Sequence, residues 1–162
     1  MKKSQKGFTL VELIVVIAII GVLAAILVPS MMGYVKKSRL KSANSNAKLV
    51  FTTVNNQAAD LIVEGKSASV TSTTSAVQVS GLSSSTNELE KAVYNALKDN
   101  GDGAGWAYWV VDSNGNVTLA QWYPSETIGS DKLLGQYPDP ITDPDDLPAS
   151  VDWGTKVTTS TT

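Results

Sequence analysis

Four aspartates, Asp139, Asp143, Asp145 and Asp146, crowd the proline-punctuated stretch YPDPITDPDDLP. Clustered carboxylate oxygens are what a calcium ion takes as ligands. These four are therefore the calcium candidates, set against the plainer reading of a solvated acidic loop. DNGDG, Asp99 to Gly103, has the opening of a calcium loop, but Val110-Val111 stands where a closing Glu would be needed, so it is not read as an EF-hand. Other chemistry is excluded by residue type. The chain has no His and no Cys, which removes thiolate nucleophiles, Cys/His zinc sites and imidazole bases. Paired carboxylates occur only in the acidic loop, with no apolar pocket to separate their pKa values. There is no nucleotide-binding glycine loop and no nucleophile elbow. No enzyme is expected, and calcium is the only cofactor candidate.

One further carboxylate is out of place. From Phe8 to Val28 the chain is apolar except for Thr9 and Glu12. As a helix this stretch spans about 31 Å, enough to cross a hydrocarbon core of about 30 Å. Lys2, Lys3 and Lys6 precede it, which favours a cytoplasmic N-terminus. A secretory signal with a cut near VLAA is the competing reading, but apolar residues continue through Ile26, Leu27 and Val28. Acids in membrane spans usually have partners, and this span offers Glu12 none by composition. A cut between Gly7 and Phe8 would create an α-amine able to meet a Glu12 carboxylate, most simply one on a neighbouring subunit.

KGFTLVELIVVIAIIGVLAAILVP resembles the N-terminus of type IV pilins and of type II secretion pseudopilins. The matching elements are a short basic leader ending in Gly7, then Phe8, Glu12, Gly21 and Pro29. The resemblance implies a prepilin peptidase that cuts after Gly7 and methylates the Phe8 amine. It implies that Glu12 pairs with the Phe8 amine of an adjacent subunit, and that the apolar segment moves from membrane to filament core. It also implies a homo-oligomeric helical filament, the pilus assembly machinery as a partner, and a single-pass cytoplasmic-membrane precursor that becomes extracellular. A pilus subunit is the leading reading. A pseudopilin is the alternative within the family, and a membrane-anchored carbohydrate-binding module the alternative outside it. Pilins of Gram-negative bacteria commonly close their C-terminal region with a disulfide; this chain cannot, which fits a Gram-positive source and requires packing or a cation instead.

These residues need a scaffold. The expected organisation is a leader over 1–7, a long helix over 8–64 with its transmembrane part at about 8–28, and a globular head over 65–162. The fold class is α+β: a membrane-spanning, then amphipathic helix packed by a small antiparallel sheet and a second short helix. Ala43, Ala47, Val50, Val54, Ala58 and Leu61 recur at helical spacing, with Gly65 as the C-cap. A helix of that length exceeds a compact domain, so part must protrude. Gly21 and Pro29 weaken the helix and predict a kink near Pro29, with local unwinding between the two in a fibre.

In the head, Ser85 with Glu88 predicts a capping box for a helix that stops at Asn100-Gly101. The Ser/Thr-rich stretch 66–86 reads as a wrapping loop with a short strand at 76–79. WAYWVVDSNGNVTLAQWY reads as a hairpin with a type I′ turn at Asn114-Gly115. A third strand is drawn from 76–79 or 151–157, and 124–150 reads as irregular loop. Trp106, Tyr108, Trp109, Trp122 and Tyr123 supply core area or, on one face, a sugar platform. Asn116-Val117-Thr118 matches a glycosylation sequon and is assigned a structural role.

Charge is segregated. Residues 1–48 hold eight of the thirteen bases and one acid, whereas 67–162 hold four bases against twelve acids. The acidic head argues against nucleic acid as a partner. Lys36, Lys37, Arg39 and Lys41 suit either lipid headgroups or the acidic heads of neighbouring subunits.

Overall fold

The computed structural model describes residues 7–99 and 105–158. The leader before Gly7 and most of the DNGDG stretch lie outside them. The chain divides into two units, one ending at Val35 and the other beginning at Lys36. One helix, α1 (Leu10–Val63), contributes to both.

In the first unit every side chain from Leu10 to Val35 is exposed. Helical structure runs without a break through Gly21 and Pro29. Pro29 lacks an amide donor, and the adjacent Ser30 hydroxyl donates to the Leu27 carbonyl at 2.9 Å.

In the second unit α1 buries Leu40, Ala43, Ala47, Val50, Val54, Ala58 and Leu61. The expected stripe is therefore the core face, extended by Leu40. The helix ends in a Schellman motif: Lys66 N–H donates to the Leu61 carbonyl and Gly65 N–H to that of Ile62. Gly65 has φ +76, the left-handed conformation that this cap requires of its C′ residue.

Four antiparallel strands lie in the order β1-β2-β3-β4: Val77–Gln78, Trp106–Val111, Val117–Tyr123 and Gly135–Tyr137. Cross-strand partners fix the faces. Ala107 opposes Trp122 and Trp109 opposes Ala120; these join the α1 stripe and Leu89, Val93 and Leu97 of α2 (Glu88–Leu97) in the main core. The other face carries Trp106, Tyr108, Gln121, Tyr123 and Gln136. A second cluster, of Leu40, Tyr123, Leu133, Leu134, Ile141, Val151 and Val157, forms under the C-terminal segment.

Three expectations are corrected. The cap of α2 is Asn87, whose side chain accepts from Leu89 N–H at 2.9 Å. Ser85 lies too far upstream, and its hydroxyl serves Asn87 N–H and Glu90 instead. The hairpin turn is not type I′, which needs φ > 0 at both central residues. Only Gly115 has it, at +85. Asp112 and Asn116 close a three-residue loop, with Asp112 Oδ1 accepting from the Asn114 and Asn116 amides. Those bonds, the Asn116 amide first, hold the Asp112 carboxyl below its ordinary range. The third correction is β4, inside the stretch read as irregular loop. The third strand is β1, within 76–79; residues 151–157, the other segment offered for it, form a strap.

The Ser/Thr-rich segment also acquires a role. β1 covers only the Trp106 end of β2. Beyond it, the Thr73 hydroxyl bonds both N–H and C=O of Trp109, at 3.0 and 3.1 Å. The Ser72 hydroxyl does the same for Val111, at 2.8 and 3.3 Å. Two hydroxyls thus replace a partner strand and cap an edge that would otherwise invite strand addition.

Candidate functional site

The first site is the start of α1. Thr9 stands at the N-cap and Glu12 at the third helical position. Thr9 N–H and its hydroxyl donate to Glu12 Oε2 at 2.8 and 2.7 Å. Glu12 N–H donates back to the Thr9 hydroxyl at 3.3 Å. This is a reciprocal capping box. It corrects the expectation that the span gives Glu12 no partner: Thr9 is that partner, and the Thr-x-x-Glu spacing before an apolar run was its signal. A carboxylate there also faces the positive end of the helix dipole.

Phe8 is 93% exposed and next to Gly7, so the expected cleavage point is sterically open. An 18-residue window of α1 reaches a mean hydropathy of 3.1 with none of it buried. It is long and apolar enough to cross a membrane. The arrangement offers a capped helix end, an accessible peptide bond before it, and an apolar surface that only lipid or other protein can cover.

The second region is the C-terminal strap, where a disulfide had been ruled out. Gln121 and Gln136 are cross-strand neighbours on β3 and β4, and both are buried. Gln121 accepts from Gly154 N–H and donates to the Thr155 carbonyl, both at 2.7 Å. Gln136 accepts from Val157 N–H and donates to its carbonyl, both at 2.7 Å, and also donates to the Asp139 carbonyl at 2.8 Å. Each primary amide reads one extended peptide as a strand would. β4 is in turn fixed to α1. Asn44 accepts from Gln136 N–H at 3.0 Å and donates to the Ile141 carbonyl at 2.7 Å. Gly135 lies so close to α1 that a Cβ there would stand 2.1 Å from Ala43 backbone atoms.

The calcium candidates are not brought together. Among the described residues no group of three carboxylates is close enough to hold a metal ion. Asp139 pairs with Lys156, and Asp143 with Lys37 at 2.9 Å. The Lys37 hydrogen bond holds the Asp143 carboxyl below its ordinary range, and the same bond raises the Lys37 ammonium. Two of the four candidate carboxylates are thus paired with lysines. Asp145 and Asp146 are exposed on a short 3-10 turn.

The aromatic cluster divides. Trp109 is 1% exposed and Trp122 is buried, so both are core. Trp106 and Tyr108 are half-exposed on the opposite face. A sugar platform, the alternative to core packing, has no open ring at Trp109.

Comparison with known proteins bears on the first site. The family model described as the prokaryotic N-terminal methylation motif matches residues 2–28. The N-terminal segment is similar to those of several type IV fimbrial proteins. A fimbrial protein of Eikenella corrodens, EcpC, is 56% identical over 43 residues, 26% of this chain and 28% of that protein. The type IV major fimbrial protein FimA of Dichelobacter nodosus is 40% identical over 68 residues, 42% and 41% of the two chains. A fimbrial protein of Pseudomonas aeruginosa is 44% identical over 64 residues, 40% and 39%. The chain thus spans less than half the length of these curated relatives. No solved structure matches.

Proposed function

We propose that this chain is a structural pilin subunit that polymerises into a type IV pilus filament. A prepilin peptidase cuts between Gly7 and Phe8 and methylates the new amine. The precursor sits in the cytoplasmic membrane by its single apolar helix, and the pilus assembly machinery extracts it into an extracellular fibre. The subunit acts by assembly and catalyses nothing. The observation that carries this reading is the methylation-motif match over residues 2–28, supported by a helix with an exposed apolar stretch long enough to cross a membrane. The matched relatives carry fimbrial and pilin names, which favours a pilus over a secretion pseudopilus.

Co-expression with a prepilin peptidase tests it. Mass spectrometry should find a mature chain beginning at methylated Phe8, and electron microscopy should find long fibres containing it. Any other mature N-terminus removes the proposal. Fibres that stay short and confined to the envelope favour the pseudopilus.

A further inference from the structure

The charges left over after the head's own ion pairs point to a contact between copies. Of the acids in the 139–146 loop, Asp139 and Asp143 are taken by Lys156 and Lys37. Asp145 and Asp146 are exposed and form no ion pair among the described residues. Lys37 acts on both at a distance but is bonded to Asp143. On α1, Lys36 and Arg39 are likewise exposed and have no carboxylate partner among the described residues. Three residues apart, they share a helix face.

Arg39 lines a cavity of about 250 Å³ with Ser42, Trp122, Pro124 and Asp131. The acid in that wall is already engaged: Asp131 Oδ1 accepts from the Tyr123 hydroxyl at 2.7 Å and from Leu133 N–H at 3.4 Å. The cavity therefore presents an uncommitted guanidinium beside an indole and a proline ring.

The two surfaces form no ion pair with one another among the described residues. Lys37 and Arg39 are two residues apart, about 200° around the helix axis. The acidic turn tied to Lys37 and the cavity beside Arg39 lie on opposite flanks of α1. Complementary patches on opposite flanks make a head-to-tail contact that need not close, and such contacts propagate into filaments. We propose that Lys36 and Arg39 of one subunit receive Asp145 and Asp146 of a second copy. This rests on the pilin reading and names the polar contact that sets the heads in register.

The absence of cysteine allows a clean test. Full-length chain carrying Arg39→Cys with Asp146→Cys is assembled and treated with a homobifunctional thiol crosslinker of about 10 Å reach, because an Arg–Asp pair holds its Cα atoms further apart than a direct disulfide spans. A ladder of dimers, trimers and higher species should appear on a non-reducing gel, while each single-cysteine variant stays off the ladder. Abundant filaments without a ladder overturn the contact. Charge reversal is the second arm. Arg39→Glu should lower filament yield about tenfold, and adding Asp145→Lys and Asp146→Lys in the same chain should restore it to within about twofold. Arg39→Glu filaments at wild-type abundance overturn the proposal, as does a folded reversal that does not recover. Normal filaments with precursor left in the cytoplasm would assign the cations to lipid phosphate and also overturn it. A wild-type chain that is cut at Phe8 and polymerises while these arms fail leaves the pilin reading standing. A wild-type chain that never polymerises removes both.

Discussion

Gln136→Met isolates the contribution of the strap clamp. The substitution keeps roughly the volume and length of the side chain and removes its amide. Three hydrogen bonds are lost, two at 2.7 Å to Val157 and one at 2.8 Å to the Asp139 carbonyl. Gln136 is 1% exposed and Val157 5%, so water does not replace them in place. At about 1 kcal/mol net per bond the loss is about 3 kcal/mol. For a head of this size that lowers Tm by about 10 °C. The assay is thermal unfolding of full-length protein in detergent, with amide exchange read at Gly154 and Val157. The Val157 amide should lose protection more than that of Gly154, which Gln121 holds. Gln121→Met should reverse the order. A Gln136→Met chain melting within about 2 °C of wild type, with Val157 still protected, would show that the apolar cluster alone holds the strap and refute the clamp.

Other perturbations separate roles by site. Gly135→Ala forces a methyl to within 2.1 Å of Ala43 backbone, so β4 must move off α1; a loss of about 3 kcal/mol or more in urea unfolding is expected. Trp109→Ala should cost about 3–5 kcal/mol because the ring is in the core, whereas Trp106→Ala, half-exposed, should cost under half of that in the same assay. The Lys37–Asp143 pair gives a pH signature. Asp143 is depressed in the folded chain, so its contribution is present above the ordinary carboxylate pKa and fades as pH falls through the lowered value. Lys37 is raised, so its contribution fades only at strongly basic pH. Lys37→Ala should therefore flatten the acid limb of a Tm-against-pH curve and leave neutral and mildly basic pH differences unchanged.

The parts legible in the sequence were those set by local periodicity. The α1 stripe was readable because its 3- and 4-residue steps depend only on helix geometry, and each of those residues is buried. The β2–β3 hairpin was readable because two apolar runs flank Asn-Gly. What escaped depends on partners far along the chain. β4 is three residues long, too short to show alternation, and exists because Asn44 and Gly135 bring it onto α1 from 92 residues away. Gln121 and Gln136 look like surface positions by type, since buried amides are uncommon without partners. Their partners are backbone atoms of the strap, 33 and 21 residues downstream. The turn type was misjudged because Asp112 collects the loop amides, a local competition that the Asn-Gly pair alone does not reveal.

One substitution separates the cap that Glu12 forms from the docking role expected of it. Both Thr9 donors go to the same oxygen, Oε2. That leaves Oε1 free of the cap and open to an approaching amine. The carboxylate need not abandon Thr9 to dock, so the cap holds the acid in place before assembly rather than competing with it. Glutamine at this position can still close a capping box but carries no charge. Glu12→Gln should therefore leave the first helical turn ordered, with amide exchange at Leu10 to Leu13 close to wild type. It should still sharply reduce filament yield if the proposed pairing with a neighbouring Phe8 amine holds. Thr9→Ala keeps the charge and removes the cap's hydroxyl, so exchange in that turn should rise about fivefold while filaments persist. If Glu12→Gln assembles normally, the acid is there for the helix end alone and the docking role falls.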